Sequence, residues 1–132
     1  MSSPNADQIA DGLARFLKLT VNKMIEQEGE ARDRLIKDLT GDAARSRPAA
    51  PMAAYIEAQG MARPWRSLQQ RVDNDGLSYI DAYRAEREQA MQMLLEFAEN
   101  RHNNGIYNEV EIADRAGARR FLSRTEGLLD QL

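Results

Sequence analysis

A single histidine, His102, stands three residues after Glu99 in "FAENRHNNGIYNEVEIA", residues 97–113. Glu-x-x-His sets both side chains on one helix face, the arrangement by which helical bundles hold iron or manganese. A dinuclear centre of that kind needs the motif from two helices and a glutamate from each of two others, and this chain has one histidine. A second copy would have to supply the other half across a two-fold axis, with Glu57 or Glu96 as further ligands. The neighbours of His102 offer a simpler role. Asn103, Asn104 and Gly105 follow it, so the imidazole falls in the last turn of a helix, beside unpaired carbonyls and the negative end of the dipole. The sequence therefore assigns His102 to a helix end, keeps a Glu99–His102 metal site as an alternative, and requires no cofactor.

Other chemistries find less support. Asp73-x-Asp75-Gly76 has the look of a calcium loop, but with Gly76 at the sixth position the first and twelfth ligands become Arg71 and Ala82. An Asx-type turn explains the "DNDG" segment instead. A serine triad would have to recruit the same His102, and no Gly-x-Ser-x-Gly turn presents a nucleophile. The carboxylates lie among arginines at helical spacing, as in Glu111, Arg115 and Arg119, which reads as solvated ion pairing. Zero cysteines exclude disulfides, thiolate metal sites and cysteine nucleophiles. No catalytic residues are assigned, and the chain is expected not to be an enzyme.

Binding surfaces are better represented. Arg115, Arg119, Arg120 and Arg124 form a broad basic band near the C-terminus, and Arg63, Arg66 and Arg71 flank the only tryptophan, Trp65. Cations mixed with an aromatic suit phosphate or base stacking. A net charge of −3 with both signs interspersed gives no global attraction to nucleic acid or to an anionic membrane. Nucleic acid is therefore the alternative, and an acidic protein partner would use the same arginines. Arg63, Trp65, Arg66, Arg115, Arg119, Arg120 and Arg124 are the candidate partner-binding residues; for Trp65 the competing role is to pin a connecting segment to the core.

These residues must be carried by a small protein. Its 132 residues suit one domain, and 42% apolar with 30% charged residues is a globular balance. The N-terminal "MSSPNADQIADG" shows no basic, apolar and cleavage-site succession, so a cytoplasmic location is expected. No segment approaches the ~20 apolar residues of a membrane span. After Lys37 every basic residue is arginine, which with abundant alanine suggests a GC-rich bacterial genome.

Periodicity predicts helices throughout. The first runs from about Asp7 to Leu39, with Asn5 as a cap, one stripe through Ile9, Leu13, Phe16, Thr20 and Met24, and a second through Ala10, Leu17, Val21 and Ile25. A surface helix needs one stripe. The extra width predicts a contact with a second copy, and Leu13, Phe16, Leu17, Val21, Met24 and Ile25 are the candidate oligomer interface. Gly29, inside a charged stretch, is a place to bend or fray. Residues 41–51, "GDAARSRPAAP", read as a surface linker.

Beyond the linker, one short helix is expected from Pro51 until Gly60 ends it, and another from about Pro64 to Val72. Ser78-x-x-Asp81 resembles a capping box opening a helix to about His102, with Ile80, Tyr83, Met91, Leu94, Phe97 and Ala98 on its buried stripe. Asn108 starts the last helix, whose stripe is Val110, Ala113, Gly117, Phe121, Leu128 and Leu132. No strand pattern, phosphate loop or repeat competes. The expected fold is all-α, an irregular helical bundle with two or three long helices and one or two short ones. The expected role is a non-catalytic protein–protein interaction module, acting as a homo-oligomer with an unidentified protein partner: a regulator, an adaptor or an accessory subunit.

Overall fold

The computed structural model describes residues 6–40, 49–100, 109–128 and 130. They form an all-α bundle of four helices: α1 (Ala6–Thr40), α2 (Ala49–Asp75), α3 (Tyr79–Asn100) and α4 (Glu109–Arg124). The linker expected at 41–51 is shorter, because α2 begins at Ala49; residues 41–48, the Asn5 and Asn108 caps, and Leu132 lie outside the described residues.

The start and end of α3 and α2 follow from local chemistry. Ser78 caps α3, its Oγ accepting the Asp81 N–H at 3.1 Å. Gly76 closes α2 at φ 70°, a left-handed conformation that glycine adopts without strain, and the Leu77 N–H reaches back to the Arg71 carbonyl at 3.3 Å. Asp73 and Asp75 are thus the last turn of a helix, and the turn proper begins at Gly76. α1 passes Gly29 without interruption over its 35 residues, about 52 Å.

The two short helices expected around Gly60 and Pro64 are one continuous helix of 27 residues. Gly60 does not end it, and tertiary packing is the reason. Pro64 has no N–H to donate to the carbonyl four residues back, which is that of Gly60. A Cβ placed on Gly117 would land on that same oxygen, so the hydrogen standing there points at it. A Cβ on Gly60 would in turn strike the backbone of Ala113. Glycine is required at both positions because α2 and α4 cross with their backbones in contact.

Around this crossing the three later helices close a core. Trp65 of α2 meets Phe121 of α4 edge-on, with ring centroids 4.8 Å apart, and Tyr83 of α3 lies 5.7 Å from Phe121. Such pairs add ~0.5–1.5 kcal/mol each to the area they bury. The Tyr83 hydroxyl, taken out of water, donates to the Thr125 carbonyl at 3.0 Å. α3 runs antiparallel to α2: Tyr79 bonds Gln69 near the turn, and Glu86 bonds Ser67 further along.

α1 lays one stripe, Leu13, Leu17, Thr20, Val21, Met24 and Leu35, against the rest. Leu17 and Val21 are 1% and 0% exposed within their own chain. The wide apolar arc is divided: Phe16 and Leu19 remain 38% and 63% exposed, and Ile25 is half-buried at the core's edge. On α3 the stripe also differs from expectation. Ala82, Tyr83, Glu86 and Ala90 face inward, while Met91 is 50% exposed. On α4, Ala113, Gly117 and Phe121 are buried as expected and Val110 is exposed.

Candidate functional site

An open groove of about 860 Å³ lies where α1, α2 and α4 meet. α1 contributes Lys23, Met24 and Gln27, α2 contributes Ala54, Glu57, Ala58 and Met61, and α4 contributes Arg120, Ser123 and Arg124. The positions follow from helical spacing. Arg120 and Arg124 are one turn apart and share a face with Ser123 between them, just outside the stripe that carries Phe121 into the core. Ala54, Ala58 and Met61 line up over two turns of α2. Met24, buried, and Met61, half-buried, are the apolar floor.

Electrostatically the groove is the reverse of the molecule. Three cations and one carboxylate line it, in a protein of net charge −3. Among the described residues none of Lys23, Arg120 and Arg124 has a carboxylate within 4.0 Å. Arg124 makes one long contact, Nη1 to the Met24 sulfur at 4.0 Å, too weak to neutralise a guanidinium.

The other arginines have internal work. Arg63 pairs with Asp114 at 3.1 Å, tying α2 to α4. Arg66 pairs with Glu28, tying α2 to α1. Arg71 donates from Nε to the buried Glu86 at 2.7 Å, and Ser67 donates to the same carboxylate oxygen. The Asp114 carboxyl is raised above the ordinary aspartate value, chiefly because burial disfavours its charge; Arg63 lowers it and Glu111 raises it further.

The sequence-selected residues therefore separate. Arg120 and Arg124 sit in the groove. Arg119 is exposed, and Arg115 is half-buried and engaged in an interaction within the chain. Trp65, a candidate contact residue, is 1% exposed and belongs to the core, because it fills the angle between α2 and α4 against Phe121. Leu13, Leu17, Val21 and Met24, expected at an oligomer interface, are enclosed by their own chain. α2, with a smaller contribution from α3, covers that stripe, while Phe16 and Leu19 beside it stay exposed.

Sequence reasoning missed Lys23, and it missed Ser123. Neither carries a motif; their signal is adjacency to Met24 and to the Arg120/Arg124 pair, and it becomes visible only once α1 and α4 lie together. The Glu99–His102 alternative falls outside what can be placed, since His102 and the Glu99 side chain are not among the described residues. Among those that are, no group of three metal-ligating side chains gathers, and no helix is long and apolar enough to cross a membrane. In comparisons with protein families, with curated proteins and with solved structures, nothing matches this chain.

Proposed function

We propose that the protein is a non-catalytic interaction module whose working surface is the α1–α2–α4 groove, and that its ligand is another protein. One observation carries this reading: three cations without carboxylate partners among the described residues converge over a methionine floor, while Arg63, Arg66 and Arg71 are each neutralised within the fold. Leaving charge uncompensated in a concave site favours a ligand that supplies the missing sign. Methionine adds an adaptable apolar surface of the kind that binding grooves use. A regulator, an adaptor or an accessory subunit would act in this way.

A nucleic-acid role has less support, because three of the seven arginines it would use are already paired with Asp114, Glu28 and Glu86. Self-association through α1 would rest on Phe16 and Leu19, the exposed large apolar side chains of that stretch.

Site-specific photo-cross-linking tests the proposal. Benzoylphenylalanine at Ala58, in the groove, is expected to capture a discrete protein in extract of the natural host, whereas the same group at exposed Asp33 does not. Arg120→Glu with Arg124→Glu is expected to lower that yield by about tenfold. The same adducts from both positions, an adduct to nucleic acid, or a yield indifferent to the charge reversals would overturn it.

A further inference from the structure

The chemistry of the groove narrows what can occupy it. Arg120 and Arg124 stand one helical turn apart on α4, the separation at which two acids spaced i and i+4 on another helix present themselves. Lys23 lines the same groove from α1. Ala54, Ala58 and Met61 run along α2 over seven residues, about 10 Å. Two alanines in that row let a second helix approach closely, and Met61 with Met24 gives it an apolar seat. Glu57 breaks the symmetry, because an acid brought to the α2 side meets a like charge.

Resting on the groove as the working surface, we infer that its occupant is an acidic amphipathic helix of another protein. Its carboxylates lie along Arg120, Arg124 and Lys23. Its apolar side chains rest on Met24 and Met61, and its edge beside Glu57 carries no acid. A uniform polyanion fits less well: it would meet Glu57 and leave the methionine floor without an apolar counterpart.

The test uses short fluorescein-labelled synthetic peptides and the full chain. One peptide has glutamates at i and i+4 beside a leucine stripe. A second has the same composition in scrambled order, and a third adds glutamates on the opposite edge. The ordered peptide is expected to bind about tenfold more tightly than the scrambled one. Arg120→Glu with Arg124→Glu should abolish the difference. Glu57→Gln should rescue the third peptide selectively, which a merely structural role for Glu57 would not do.

Equal binding of the first two peptides would overturn the inference by reducing recognition to net charge. So would failure of the ordered peptide to bind, or its displacement by a single-stranded oligonucleotide at lower concentration than by unlabelled peptide. If these tests fail while the Ala58 cross-link persists, the occupant has been misassigned and the groove stands as the interaction surface. Loss of the cross-link as well removes the broader reading.

Discussion

Two sets of cations on this molecule look alike in sequence and do opposite things. Where α2 meets its neighbours, Arg63, Arg66 and Arg71 are matched one by one to Asp114, Glu28 and Glu86. At the α1–α2–α4 groove, Lys23, Arg120 and Arg124 are left without such partners among the described residues. The first set closes the bundle; the second leaves a field unspent. An arginine's role here is decided by whether a carboxylate arrives from another helix, and both kinds of arginine occur on short, mixed-charge helical segments.

The largest effect expected from disturbing this arrangement concerns the crossing that brings α4 to α2, on which both sets depend. Gly117→Ala puts a methyl on the Gly60 carbonyl. Because the obstruction is backbone and cannot rotate away, a loss of ~3 kcal/mol is expected, read as a fall in Tm of roughly 10 °C. Gly12→Ala, on an exposed helical face with nothing near the new methyl, should instead stabilise by ~0.5–1 kcal/mol. Equal responses from the two would show that α2 and α4 do not touch as described.

Next in size is the contrast between the two charge sets. Arg71→Ala leaves the Glu86 carboxylate, only 4% exposed, with Ser67 alone. Breaking a buried pair from one side is costly, and with part of Arg71 in water the expected loss is ~2 kcal/mol by chemical unfolding. Arg120→Ala and Arg124→Ala should leave Tm within about 2 °C of the parent, because no internal partner is orphaned. Comparable losses from Arg71→Ala and Arg120→Ala would erase the distinction between structural and available cations.

Trp65 offers a cleaner optical test. As the only tryptophan, buried to 1% exposure, it should emit at short wavelength in the native state and shift to the red only on unfolding. Quenching by iodide in the folded protein would return Trp65 to the surface.

The smallest expected effect lies at Asp114. Its folded carboxyl binds a proton more readily than the unfolded one, so its contribution to stability is present at low pH and is lost as pH rises through the window just above 3.8. Asp114→Asn removes that window. The Tm of the variant relative to the parent should therefore rise between pH 3.5 and pH 6 (roughly the span of a shifted carboxylate). A relative Tm falling over this range would mean that the Arg63 ion pair outweighs burial.

Much of the architecture was legible in the sequence. The all-α class, the bounds of α1 within a residue or so, the Ser78 cap and the inward face of Ala113, Gly117 and Phe121 follow from periodicity and capping, which act within a few residues of one another. The misreadings share a cause. Gly60 and Pro64 looked like a helix end because each is a breaker locally, and the close seat of α4 is what makes them useful inside α2. Met91 looked like core because it is apolar, yet it is half exposed while Ala82, Tyr83, Glu86 and Ala90 face inward, with Glu86 held by Arg71 and Ser67. Leu13, Leu17 and Val21 looked like surplus apolar surface because a single helix does not reveal what will cover it.

The sequence alone determined that the chain would be helical, where most helices would start, and that cations would gather on α2 and α4. Only the tertiary structure decided which of those cations were neutralised, since a salt bridge between residues 38 or 51 positions apart, as in Glu28–Arg66 and Arg63–Asp114, depends on how helices cross. Periodicity is a property of one helix and can be read along the chain. A groove belongs to three helices at once, and its charge exists only as the remainder after every internal pair has formed.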